Sequence, residues 1–181
     1  MHASIGDQLH DLVQNSLEAG STYIDLRWCD TGCDLAIEVS DNGCGMTAEM
    51  QARVADPFFT DGRKHQNRNI GLGLAFLRQM VVETGGVWAL VSEPGRGTHV
   101  SFRLDKTHWD VPPVGDVAGV ITGLMAFEGD YELVVIRETK LRTYEVSRTA
   151  LREALGELET ATSLAMMRDY IASQEEALQK G

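Results

Sequence analysis

The stretch "DNGCGMTAEM", residues 41 to 50, follows the alternating run "LAIEV" at 35–39 and sets one carboxylate ahead of two glycines spaced one apart. A strand that ends in Asp-Asn-Gly-Cys-Gly has two readings. In the first it is a turn, because Asp, Asn and Gly supply side-chain-to-backbone hydrogen bonds and left-handed backbone at little cost. In the second it is a ligand pocket, with Asp41 as the recognition group and glycines that let backbone come close. The flanking chain decides between them.

Upstream, "TYIDLRWC" and "DLAIEVSD" alternate around an Asp-Thr-Gly turn, the pattern of a β-hairpin that ends at Asp41. Before it, Ser4 and Asp7 form a capping box, and Ile5, Leu9, Leu12, Val13 and Leu17 recur at helical spacing until Gly20, predicting a helix over about residues 5–19. Downstream, "TAEMQARVA" reads as a short helix capped by Thr47. Residues 56–69, "DPFFTDGRKHQNRN", have no period and hold most of the local basic charge, as expected of a functional loop. A helical pattern resumes in "GLGLAFLRQMVVET", and "VWALVSE", "PGRG" and "THVSFRL" predict a second hairpin.

After Leu104 the character changes. "DKTHWDVPPVGD" reads as a boundary, since Pro112-Pro113 continues neither a helix nor a central strand. Beyond it come a glycine-bearing helix in "DVAGVITGLMAF", a hairpin in "YELVVIRE" and "LRTYEVS", and helices that start after Ser147 and Thr160. The expected division is residues 1–106 and an extension at 107–181. The spacing of Leu164, Met167 and Ile171 suits an apolar helix face that extends the core or contacts a second copy.

With 181 residues, 43% apolar and 24% charged, the composition is that of a soluble globular protein. A formal charge of −11 argues against general nucleic-acid binding, which needs clustered Lys and Arg. "GRKHQNR", residues 62–68, is the exception and suggests a small anionic ligand. The absence of a membrane-length apolar run or a signal-peptide pattern makes the cytoplasm the expected location. Cys29, Cys33 and Cys44 lack metal-ligand spacing and read as buried small residues.

Asp11 and Asn15 stand at i and i+4 on the first helix, so both side chains face one direction. Alone, this pair reads as a solvated face, and "GLGL" matches many helix starts. The order of "DLVQNSLEAGS", "DNGCGM", "DPFFTD…NIGLGLAFL" and "EPGRGTHVSFRL" over residues 5–104 resembles the GHKL, or Bergerat-fold, ATP-binding superfamily of gyrase B subunits, histidine kinases, heat-shock chaperones and MutL-type ATPases. The resemblance implies an α/β (α+β) two-layer sandwich: a mixed, mostly antiparallel sheet with helices on one face, plus a small C-terminal α+β extension.

It also implies a site for ATP and Mg²⁺. Asp41 would accept the adenine amine, a role that needs a carboxylate. Gly43, Gly45 and Met46 would pass beside the base, and Thr98 would stand near it. Asn15 would hold the metal, as a hard amide oxygen can. Gly71, Leu72, Gly73 and Leu74 would open a helix toward the phosphates, and Lys64, with Arg63 and Arg68, would reach them from the basic loop. Asp11 replaces the Glu that serves gyrase and MutL relatives as general base, so it would act with one methylene less reach.

"DPFFTD" and "GLGLAFL" resemble histidine kinases, yet the chain carries no His-Glu-x-x-x-Pro segment, and His10 reads as a packing residue. The implied activity is slow ATP hydrolysis or phosphoryl transfer to a partner protein; the alternative is an ATP-gated interaction switch without turnover. "DVPPVGDVAGVITGL" resembles the tail of small ATPases that accompany iron hydrogenase or electron-transfer subunits. A redox-enzyme subunit or phosphoacceptor is thus the expected partner, with a homodimer as a further expectation.

Overall fold

The computed structural model describes residues 4–54 and 72–180. The elements follow in the order α1 (Ile5–Glu18), β1 (Tyr23–Asp30), β2 (Asp34–Asp41), α2 (Ala48–Val54), α3 (Leu72–Glu83), β3 (Val87–Glu93), β4 (Gly97–Asp105), α4 (Val117–Met125), β5 (Glu132–Glu138), β6 (Thr143–Ser147), α5 (Arg148–Leu155) and α6 (Ala161–Gln179). The Ser4–Asp7 capping box opens α1, and Ser147 and Thr160 cap α5 and α6 with their side-chain oxygens. Each satisfies a backbone N–H that a helix start leaves unpaired.

The six strands form one mixed sheet, ordered β3-β4-β2-β1-β5-β6. Every pairing is antiparallel except β1 with β5, which runs parallel from Tyr23↔Glu132 to Cys29↔Glu138. The boundary expected near residue 106 falls in the β4–α4 connection, and the chain beyond it extends the same sheet.

The period of two puts Ile24, Leu26 and Trp28, Leu35, Ile37 and Val39, Val100, Phe102 and Leu104, and Leu133 and Val135 on one face. All are buried against the helices, and one apolar cluster joins them to α1, α3, α4 and α6. Met167 and Ile171 of α6 are buried in that cluster and Leu164 packs against it, so the predicted apolar face extends the core.

The two glycines of α4 weaken it as an isolated helix, but one of them has a packing reason. A Cβ at Gly123 would lie 2.6 Å from His10 Nε2, and one at Gly6 of α1 would lie 2.4 Å from Val120. Missing side chains thus let α1 and α4 approach closely. His10 is a packing residue here: its Nδ1 is 3.0 Å from the Gly6 carbonyl and its ring stands edge-on to Phe127.

Two buried arginines fasten the C-terminal half. Arg137 donates through Nε and Nη2 to Glu175 at 2.8 Å each, and through Nη1 to the Trp28 carbonyl at 3.0 Å. Arg148 donates to the carbonyls of Met125, Tyr131 and Phe127 at 3.0–3.1 Å, satisfying acceptors at and beyond the end of α4. No described helix is long and apolar enough to cross a membrane.

Candidate functional site

Asp41 is the last residue of β2 and shares the parity of Val39, so its carboxylate turns toward the helix-covered side at the open end of the sheet. There it is half-buried and needs donors. Its Oδ1 accepts from the Gly43 N–H at 2.8 Å and the Thr98 N–H at 3.3 Å, and its Oδ2 accepts from the Ser16 hydroxyl at 2.8 Å. Carboxylate oxygens offer about four acceptor positions in all. One position on Oδ2 therefore remains for an outside donor.

The turn and pocket readings of Asp41–Met46 both hold. Cys44 donates its N–H to the Ala19 carbonyl at the end of α1 (2.9 Å), and its carbonyl accepts from Gly95 in the β3–β4 turn (2.8 Å). The glycines answer to these backbone neighbours first. At Gly45, with φ +64°, a Cβ would strike the Glu93 carbonyl at 2.0 Å, and at Gly43 it would meet Ser21 and Ala19 within 3.0 Å. The three-way packing of β2, α1 and the β3–β4 turn requires both residues to be small.

Around Asp41 the described residues enclose a cleft of ≈ 140 Å³. Its walls are apolar, with Leu12, Val39, Val100, Met46, Met50 and Leu74, and its polar groups are Asn15, Ser16, Asp41 and Thr98. An apolar cleft with a few placed polar atoms suits a heteroaromatic base. Thr98 pairs with Asp41 in the β2–β4 register, and its hydroxyl lies 2.9 Å from that of Ser92. Ser92 also accepts from the Met46 N–H at 2.8 Å, which holds that part of the wall.

Asn15 and Asp11 stand one turn apart on α1. The side chains of both are without a hydrogen bond among the described residues. Asp11 lies outside the cleft wall, beside the start of α3: a Cβ at Gly73 would be 3.3 Å from its Oδ2. Partial burial, and then the charge of Asp7, push the Asp11 carboxyl above its ordinary value, with His10 opposing. This is the direction a proton-accepting carboxylate needs to approach neutral pH.

Of the predicted site residues, the structure brings Asn15, Asp41, Gly45, Met46, Leu74 and Thr98 to one cleft, with Gly43 behind it and Asp11 and Gly73 at one side. Leu72 begins α3. Gly71, Arg63, Lys64 and Arg68 lie outside the described residues. Sequence reasoning missed Ser16, Ser92 and Gly97. A Cβ at Gly97 (φ +100°) would strike the Asp41 carbonyl at 1.9 Å. The β3–β4 pairing that sets Ser92 opposite Thr98, joined to the β2–β4 register that sets Thr98 opposite Asp41, is what reveals Ser92 and Gly97. Ser16 could have been found from its place on α1, one turn beyond Leu12 on the buried side. The three cysteines are free, but they are not the buried residues expected: Cys29 is half-buried, and Cys33 and Cys44 are exposed, Cys44 bordering the cleft.

Residues 5–108 match the family described as histidine kinase-, DNA gyrase B- and HSP90-like ATPases. The chain belongs to this family. Its expected superfamily and mixed-sheet fold are thereby established, and it is an ATP-binding, histidine-kinase-like module. Human mismatch repair endonuclease PMS2 is 56% identical over 46 residues, 25% of this chain and 5% of its own length. The alginate biosynthesis sensor protein KinB of Pseudomonas aeruginosa is 33% identical over 100 residues, 55% of this chain and 16% of its own. The catalytic domain of the histidine kinase ThkA aligns at 26% identity with a TM-score of 0.42, covering 55% of this chain and 64% of that one. This chain thus spans only a small part of the length of these curated relatives.

Proposed function

We propose that the chain binds Mg-ATP in the cleft between α1 and the β2–β4 pair and hydrolyses it slowly or passes its terminal phosphoryl group to a partner protein. The observation that carries this reading is the Asn15 amide, without a partner among the described residues, one helical turn from Asp11 and lining the same cleft as the open position of Asp41. The adenine amine would donate to Asp41 Oδ2. Asn15 fits a magnesium ion. No described group of three or more His, Cys, Asp or Glu could hold a metal, so phosphate oxygens and water would complete the shell, as is usual for Mg²⁺. The bound ion would supply charge neutralisation on the phosphates.

Asp11 would accept a proton from the attacking water or hydroxyl, and the amide end of α3 would face the phosphates. The chain past residue 106 would carry partner recognition, and its resemblance to hydrogenase-associated ATPases supports a redox-enzyme subunit as that partner. Titration calorimetry with ATP, with and without Mg²⁺, followed by release of labelled phosphate, tests this reading. No binding at millimolar nucleotide would sink it.

One observation favours the switch reading. Asp11 is a methylene shorter than the family's Glu and lies outside the cleft wall, so nucleotide could shift a conformational population without turnover. Asp11→Asn separates the two: cellular function lost with ATP binding intact favours chemistry, and function retained favours the switch.

A further inference from the structure

At the far edge of the sheet, three strands beyond β2, the short strand β6 pairs only with β5 among the described residues. Every other N–H and C=O of such an edge points away from the sheet, a template for another strand. Beside it runs an apolar groove of ≈ 350 Å³, lined by Val146 of β6, Ala150, Leu151, Ala154 and Leu155 along α5, and Met166 and Tyr170 of α6. Met166 and Tyr170 are 54% and 46% exposed, although Met167 and Ile171 of the same helix are fully buried. The groove lies on the helix-covered side, where alternate side chains of an added strand would project.

Charge decides what such a strand is. Glu145, at the centre of β6, lines the groove rim, and Glu153 and Asp169 stand exposed on α5 and α6; none makes an ion pair among the described residues. Arg152, the exposed cation of α5, lines a separate polar cleft with Thr22 and Asp130. A second copy is disfavoured: the antiparallel register that pairs all five β6 residues would set Glu145 opposite itself, and like charges directly opposite are destabilising.

We propose that β6 and this groove form a docking site for an extended, basic segment of another protein, which adds as a seventh strand. Its apolar side chains would enter the groove and a Lys or Arg would face Glu145. The site is remote from the nucleotide cleft and does not depend on ATP.

The test uses the full chain and a capped heptapeptide of alternating lysine and valine, with a glutamate-valine counterpart and a variant carrying a central proline. The lysine peptide binds and slows amide exchange within residues 143–147. Glu145→Lys, Met166→Glu and Tyr170→Glu each weaken it at least ~10-fold, while ATP binding is unchanged. Equal binding of the glutamate or proline peptide, protection elsewhere, or no binding at millimolar peptide overturns the proposal. So does a dimer, seen by sedimentation without peptide, that Met166→Glu dissolves.

Discussion

Two groups of polar side chains sit under the helix layer of one sheet, and they differ in how much of their hydrogen-bonding capacity the fold consumes. Arg137 and Arg148 are 3% and 1% exposed, and both donate on every guanidinium nitrogen, to Glu175 and to main-chain carbonyls. Tyr144 joins Arg137 through Glu175, to which it donates at 2.6 Å, and burial and then that carboxylate hold its phenol well above its usual range. Asn15 and Asp11, by contrast, leave their side chains unpaired among the described residues. Asp41 stands between: three donors reach it, and one position is open. Saturated groups of this kind hold a fold together, whereas unsaturated ones on the rim of a cleft await a ligand.

This contrast can be broken by substitution. Arg148→Ala should have the largest effect, lowering stability in urea unfolding by about 3 to 5 kcal/mol, because it strands buried carbonyls at the end of α4. An effect below about 1 kcal/mol would show that those carbonyls find other partners. Asp11→Asn should leave the melting temperature unchanged or slightly raised, and lower ATP turnover about 100-fold.

The pH dependence sharpens the same point. The folded-state pKa of Asp11 is raised, so its contribution to stability is present at low pH and is lost as pH rises through that value. Turnover needs the ionised form and should rise over the same interval. A rate that is flat there would exclude Asp11 as the base. Gly45→Ala should cost about 1 to 3 kcal/mol, from the left-handed backbone and the Glu93 carbonyl in its way, and should weaken ATP binding only through the distorted loop.

Local patterns carried most of the element order. The Ser4 box, the Thr47, Ser147 and Thr160 caps and the strand alternations each depend on residues a few positions apart, which a linear reading can see. Long-range pairing was not legible. Nothing near Tyr23 says that Glu132 lies beside it, so the C-terminal hairpin read as an appendage when it completes the sheet. The glycines at 43 and 45 read as room for a base, yet their nearest obstacles are Ser21 and Glu93. Ser92 and Gly97 escaped notice because their role depends on the β3–β4 turn meeting Asp41.

Asp41→Asn is the most direct test of the central claim. The variant keeps an oxygen for Gly43 and Thr98, and the Ser16 hydroxyl can turn to the Leu12 carbonyl at 3.2 Å. Stability should therefore fall by no more than about 1 kcal/mol. ATP affinity by calorimetry should fall at least ~100-fold, because the new amide presents a donor to the adenine amine. Native-like ATP affinity in a folded Asp41→Asn protein would contradict the account, and a variant that unfolds would mean that Asp41 serves the turn alone.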